Sequence, residues 1–422
     1  MHRHPAIWAI FVFIAFFFLL DRYAFSGVRT LTKGRKPRTI KIVHRIYWGI
    51  SITVYVLFLY CFFFVSYAKG LPHPVMYLIA FWLMQFFTKL FFIFFLLGED
   101  IYRLFRMIVV GVRNKFSKKE PIPISTSRRK FVSTVGLAVA AIPFTGFIHG
   151  LAVGKFNFRV RKETLEFPDL PDAFDGFTIT QISDIHVGSF AVEGDRQEVI
   201  NAVKMATDEK SDLFVFTGDL VNNMAPEMDP WMDVFNKLRA PFGQFSILGN
   251  HDYGMYLQWS EEDRLASLDR LYEIHKELGY DLLRNENRVL EKDGQKIYLL
   301  GVEDWGKGFL DYGDIDKALV GVPKDAFKIL LSHDPSHFDH IVSQHPTQVH
   351  LTLSGHTHGG QMGVEIPWLK WSPVRIAYPH WAGLYKEGPR YIYVNRGFGF
   401  LAIPARVGIW PEITVLTLKK KG

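Results

Sequence analysis

Residues 46–67 carry no charged side chain and residues 74–97 carry only Lys89. Runs of that length leave few options. A bilayer core takes roughly 20 mostly apolar residues as one helix, because nothing there except the helix itself can satisfy the backbone N–H and C=O groups. Both runs are long enough to span, and longer than a buried helix of a soluble domain usually is. Residues 131–153 form a weaker run. Residues 7–20 fall short of a span unless residues 23–25 extend them. The expected N-terminal region, residues 1–154, is therefore all-α with about four transmembrane helices. Gln85 and Lys89 interrupt the third run, which marks them as candidate functional residues; the alternative is that Lys89, two turns from the end, simply snorkels to the interface.

Charge orients these spans. The loop 21–45 carries eight basic residues and the loop 98–130 carries nine, whereas the opposite segments carry only Arg3 and Lys69. The positive-inside rule puts both basic loops in the cytoplasm. Four spans then leave the N-terminus and everything after residue 154 outside the cytoplasmic (inner) membrane. Ser127-Arg128-Arg129-Lys130-Phe131-Val132 resembles a twin-arginine export signal, although it is internal and has Ser133 where a lysine is usual. Ala138-Val139-Ala140 resembles a cleavage site. Ordinary positive-inside charge accounts for the same arginines equally well. Residues 115–129, with Pro121 and Pro123, read as a linker.

The net charge of +7 hides a division. Of the 49 Lys/Arg and 42 Asp/Glu, residues 1–154 hold 20 and 4, so residues 155–422 hold 29 and 38, a net of −9. A negative half argues against nucleic acid as a partner, since phosphate-backbone binding needs basic surface. Cys61 is the only cysteine and sits in a span, which excludes a disulfide, a thiolate metal site and a thiol nucleophile.

The negative half contains five short clusters: Asp184-Ile185-His186, Gly218-Asp219, Gly249-Asn250-His251-Asp252, Ser332-His333-Asp334 and Gly355-His356-Thr357-His358. Each follows a β-branched or leucine-rich run, at residues 177–182, 213–216, 245–248, 329–331 and 349–353, and such runs read as buried strands. Helix-like stretches at 196–209, 229–238, 261–278 and 315–319 alternate with them, which argues for an α/β domain over residues 155–422. Parallel strands end on one edge of a sheet, so the clusters can converge in one crevice. Carboxylate, imidazole and amide oxygen suit manganese, iron or zinc. A two-metal hydrolase also needs one carboxylate between its ions, and Asp219 is the natural bridge.

In their order, these motifs resemble the calcineurin-like metallophosphoesterase superfamily, in its bacterial membrane-anchored branch, whose pattern is D-x-H, G-D, G-N-H-D/E, H and G-H-x-H. The resemblance covers residues 155–420 and implies a four-layer αββα sandwich of two sheets flanked by helices, with the strands at 391–395 and 413–418 completing the second sheet. It further implies a cofactor of two divalent metal ions. Asp184, His186, Asp219 and His358 would hold the first ion; Asp219, Asn250, His333 and His356 would hold the second. His251 would face the leaving-group oxygen as the proton donor, and Asp252 would orient His251 or hold its charged form. Many members have an acidic residue three positions after the bridging aspartate. Here that place is Asn222.

Residues 362–390 carry Trp368, Trp371, Trp381, Tyr378 and Tyr385 just after the last expected ligands, which fits a lip over the site, a reader of membrane-borne substrate, or a packed loop with its own core. Arg396 and Arg406 lie where either can reach a phosphate. The function expected is hydrolysis of a phosphate ester, a lipid-linked one being a candidate substrate, by a membrane-anchored metal-dependent enzyme. One alternative is cleavage of UDP-2,3-diacylglucosamine, which the outside topology disfavours. Others are a non-catalytic membrane scaffold with this fold, which the intact ligand set disfavours, and a transport protein, for which a single unpaired Lys89 is slight support.

Overall fold

The computed structural model describes residues 4–116 and 126–422. Most of the expected linker, together with Arg3, Lys118 and Lys119, lies outside them. The chain forms two compact units, one of residues 1–65 and 74–148, the other of residues 66–73 and 149–422.

The first unit consists of α1 (His4–Thr32), α2 (Pro37–Phe64), α3 (His73–Phe116) and α4 (Thr126–Ala152). All four are long and apolar enough to cross a membrane. Two expectations need correction. The helices overrun the expected spans, so the first basic loop shrinks to residues 33–36 and Arg103, Arg106 and Arg113 project from α3. A basic helix end simply looks like a loop when only hydropathy is read. Secondly, Lys89 does not snorkel. Its ammonium meets Asp21 Oδ1 at 2.8 Å and donates to Ser51 Oγ (3.0 Å) and Gln85 Oε1 (3.1 Å), while Tyr55 donates to Asp21 Oδ2 (2.7 Å). The partner comes from α1, far away in sequence. Near the start of α4, Arg129 pairs with Asp100 and Arg128 with Glu99, so both arginines of the export-like motif are engaged within the bundle. Ala140, in the cleavage-like triplet, is buried in mid-helix beside Phe92, Ile93 and Leu96. The helices approach closely at Gly27, where a Cβ would lie 2.4 Å from the Phe92 ring, which is how small residues let membrane helices pack.

The second unit is a mixed α/β domain. It runs β1 (Arg159–Phe167), β2 (Thr178–Ile182), α5 (Val192–Asp208), β3 (Leu213–Thr217), α6 (Met232–Phe235), β4 (Gln244–Ile247), α7 (Glu261–Glu277), β5 (Asp281–Leu282), β6 (Glu286–Lys292) and β7 (Gln295–Gly301). It continues with α8 (Ile315–Ala318), β8 (Lys328–Leu331), α9 (Pro335–His340), β9 (Leu351–Ser354), β10 (Val364–Ile366), β11 (Leu369–Trp371), β12 (Gly383–Glu387), β13 (Arg390–Val394) and β14 (Glu412–Lys420). Two six-stranded sheets result, ordered β1-β14-β2-β3-β4-β5 and β12-β13-β9-β8-β7-β6. β13 joins the second sheet as expected. β14 does not: it lies in the first, parallel to β1 and antiparallel to β2, because an apolar run declares a strand but not its sheet.

Side-chain alternation builds the layers. Ile329 and Leu331 on β8 enter one cluster with Val215, Ile247, Leu353 and Leu416 between the sheets. Leu330 faces the other way, joining Ile315 and Ala318 of α8 and Phe338 of α9. A strand buried on both faces reads as a continuous apolar run.

Candidate metal centre

β2, β3 and β4 are parallel neighbours in one sheet, and β8 and β9 in the other. Each cluster leaves the C-terminal end of one of these five strands, so the motifs arrive at a common edge. The turns are tight. Asp184, His186, Asp219, His356 and His358 all have φ between 48° and 70°, the left-handed region that costs a non-glycine residue on the order of 1 kcal/mol or more. Hydrogen bonds between clusters hold them there: Asp184 N–H to Gly218 O (2.9 Å), His186 N–H to Asp219 O (3.2 Å) and Gly355 N–H to His333 O (2.9 Å). Gly218, at φ 92°, has no room for a side chain, since a Cβ would sit 2.6 Å from Gly249 N and 2.7 Å from His333 Nδ1.

The result is two adjoining groups, Asp184–His186–His358 and Asp219–His333–His356, with the donor atoms of each within 4.8 Å of one another. Asp219 Oδ2 lies 3.4 Å from His186 Nε2 in one group and 3.2 Å from His333 Nε2 in the other. His358 Nε2 is 3.4 Å from Asp184 Oδ1, and Asn250 Oδ1 is 2.8 Å from His356 Nδ1. All seven residues named from the sequence are thus brought together.

The three carboxylate–imidazole contacts, at 3.2–3.4 Å, fit a metal better than they fit hydrogen bonding. Nε2 of His186, His333 and His358 is buried with no hydrogen-bond partner among the described residues. A buried unsatisfied polar atom costs about 1–3 kcal/mol, so His186 and His358 aimed into one group and His333 into the other call for a cation in each. Two donors about 2.1 Å from one ion lie about 3.0–3.4 Å apart at octahedral to tetrahedral angles, which is the spacing found. The other ring nitrogens fix the tautomers: His186 Nδ1 meets Val221 O (3.2 Å) and His333 Nδ1 meets Thr217 O (2.7 Å), leaving each Nε2 lone pair for the site. Burial works against ionising Asp219, but protonated His333, itself drawn well above the usual imidazole range by Asp219, outweighs it and holds the carboxyl well below the usual range, a positive charge that a bound cation would replace. Burial, with His186 and Arg406 nearby, keeps His358 neutral.

His251 packs edge-on to the His186 ring at 4.9 Å and beside Tyr256 at 4.5 Å. Its amide donates to Asp219 Oδ1 (2.9 Å) and its Nδ1 meets the Asn222 carbonyl (2.7 Å). Burial lowers its pKa to about 4, with Asp219 pulling the other way. Asp252 does not orient it. The Asp252 oxygens instead accept from the amides of Asp219 (2.9 Å), Leu220 (2.8 Å), Val221 (3.2 Å) and Gly249 (2.9 Å), clamping two ligand loops together. The carboxylate turns towards the loop after β3 because three of those four N–H groups lie there.

Arg396 and Arg406 are also spent on structure. Arg396 pairs with Glu412 and with Glu365 (2.7 Å), and buried Arg406 donates to the carbonyls of His358 (2.9 Å) and Arg396 (2.6 Å). Conversely, several neighbours escaped the sequence reading. Tyr256 shares a hydrogen bond with Asn250 Nδ2 (2.6 Å), and Asp334 Oδ2 lies 3.5 Å from His356 Nε2. The aromatic loop divides its labour: Tyr378 OH meets His356 Nε2 at 2.7 Å, Trp381 is buried, and Trp368 and Trp371 are exposed.

Comparison with known proteins agrees with this geometry. Residues 177–360 match the calcineurin-like phosphoesterase family, and residues 4–155 match a probable calcineurin-like phosphoesterase transmembrane domain. The chain is 33% identical to the uncharacterized metallophosphoesterase YkuE of Bacillus subtilis, over 69% of this chain and 98% of that protein. It belongs to the calcineurin-like metallophosphoesterases. Among other relatives of this metallophosphoesterase, an uncharacterized one from Aquifex aeolicus is 31% identical over 63% of this chain and 94% of its own length. The transmembrane protein with metallophosphoesterase domain of Danio rerio is 26% identical over 77% of this chain and 72% of its own.

Proposed function

We propose that this metallophosphoesterase hydrolyses a phosphate ester, borne by a lipid, at the outer side of the cytoplasmic membrane of a bacterium. The observation that carries the hydrolytic reading is the set of three unpartnered imidazole nitrogens converging with Asp184 and Asp219. Asp184, His186, Asp219 and His358 would hold one divalent ion, and Asp219, Asn250, His333 and His356 the other, with residues 155–422 as the catalytic domain. When bound, such a pair neutralises phosphoryl oxygens and lowers the pKa of a water. Around it, Tyr378 and Asp334 orient His356, Asp252 fixes the loops that carry Asp219 and Asn250, and His251 presents Nε2 towards the departing oxygen. The lipid component rests on the four apolar helices in the same chain.

Purified protein loaded with manganese, assayed on p-nitrophenyl phosphate and on phospholipid monoesters and diesters, tests the reading. Asp219→Asn should then lose bound metal and nearly all turnover, because both groups share that carboxylate. Two ions still bound per Asp219→Asn chain, with turnover unchanged, would remove it from the bridging role.

A further inference from the structure

The exposed apolar side chains of the second unit concentrate in the hairpin of β10 and β11. Its register pairs Val364 with Trp371, Glu365 with Lys370 and Ile366 with Leu369. Paired residues share a face, and alternate pairs point oppositely. One face is therefore Glu365 and Lys370, the other Val364, Ile366, Leu369 and Trp371. The charged face is fixed to the domain: Glu365 bonds Arg161 and Arg396, both at 2.7 Å, and Lys370 donates to the Ala382 carbonyl. At the foot of the hairpin, Gly363 N–H donates to Val407 O (2.9 Å). The apolar face is left open: Val364, Ile366, Leu369 and Trp371 are all exposed, Trp368 at the turn is 83% exposed, and Ile376 just beyond is 85% exposed.

A rigid hairpin with its charges turned inward and a tryptophan at its tip is built to stay apolar on the outside. Such a patch on a soluble surface marks an interaction site. Its chemistry selects the occupant. Tryptophan favours the headgroup boundary of a bilayer, aliphatic side chains favour the acyl region below, and exposed Arg375 beside them suits anionic headgroups. A protein partner would more often meet hydrogen-bonding groups around an apolar centre, and the outward face of these strands offers none. Connectivity keeps a bilayer near, since only residues 153–158 separate the spanning helix α4 from β1.

We propose that the β10–β11 hairpin inserts into the interfacial layer of the membrane that the chain spans. Tyr378, seven residues beyond Trp371, touches His356, so the same loop joins the inserted tip to the metal centre. The inference concerns where the hairpin sits and stands whatever ester is cleaved.

The test uses the full chain in nanodiscs of phosphatidylcholine and phosphatidylglycerol. An environment-sensitive fluorophore is attached at Trp368→Cys, and separately at Ile376→Cys, in a Cys61→Ala background. Val320→Cys, at a position 72% exposed, serves as the water-facing control. Brominated acyl chains should quench both hairpin labels about twofold or more and leave the control unchanged, as expected for side chains seated at the acyl boundary. Equal, weak quenching at all three positions would overturn the proposal. A blue-shifted hairpin label that bromine does not quench would assign the patch to a protein contact and overturn it too.

Discussion

His251 is held by its neighbours' backbone rather than by a side-chain partner: Nδ1 meets the Asn222 carbonyl and the His251 amide meets Asp219. With the Nδ1 proton committed to a carbonyl and burial favouring the neutral ring, Nε2 is the atom that would carry an extra proton, which the Asp219 carboxylate beside it favours. General acid catalysis typically contributes about a hundred- to ten-thousand-fold. His251→Asn is therefore expected to retain both ions by elemental analysis, lose rate on that scale with alkyl phosphates, and lose much less with p-nitrophenyl phosphate. Equal losses on both esters would exclude an acid role. Asp252→Asn should behave differently. Its amide group cannot accept from N–H groups on both atoms, and hydrogen bonds to a buried carboxylate are worth about 1.5–3 kcal/mol each. Thermal unfolding should report destabilisation on the order of 3 kcal/mol together with weaker metal binding, and no dependence on the leaving group. A variant of wild-type stability whose losses track leaving-group pKa would return Asp252 to the proton relay. The contrast between these adjacent residues marks the limit of what sequence conveys. Ligand types and their place after strands are legible one motif at a time. Where the Asp252 carboxylate points is set by amides that the left-handed turn at Asp219 aims, and no motif records that direction.

At the scale of elements, the Asp21–Lys89 pair joins α1 to α3 inside an apolar bundle. Removing one partner of a buried pair strands a charge, typically at a cost of about 3–5 kcal/mol, whereas replacing both with apolar residues is often neutral. Asp21→Leu should therefore lower the unfolding temperature in detergent well below that of the double variant Asp21→Leu/Lys89→Met. A double variant at least as unstable as the single would show that the pair contributes stability of its own. Sequence pattern conveys the strands that matter most for the site, β2, β3, β4, β8 and β9, because each is buried along nearly its whole length around Ile, Leu, Val or Phe. It does not reveal β1, whose run Arg159–Phe167 is half charged, or the β6–β7 hairpin, whose first strand is largely polar. The latter did carry a signal: Asp293-Gly294, at φ 49° and 75°, is the type I′ turn favoured between antiparallel strands. The Lys89 pairing is illegible for a different reason, since its partner lies 68 positions away and hydropathy describes each helix alone.

For the molecule as a whole, the split between a basic apolar part and an acidic α/β part is plain in the sequence, and it is the ground for the topology expected. If both clusters of basic residues face the cytoplasm, a reporter active only outside it should work when fused after Gly422 and stay silent when inserted near Arg35. Reversed signals would put the metal centre in the cytoplasm and favour a nucleotide-linked lipid as substrate. The place of β14 has a consequence for how such a molecule is made. This strand fills the gap between β1 and β2, yet it is the last of the three to leave the ribosome, by more than 200 residues. Until then the first sheet has two raw inner edges, and the apolar faces meant for each other stay open to solvent. Synthesis therefore passes through a long interval in which a nascent chain needs shielding, and a message broken shortly before codon 412 would yield a product with every metal ligand present and no closed sheet to hold them.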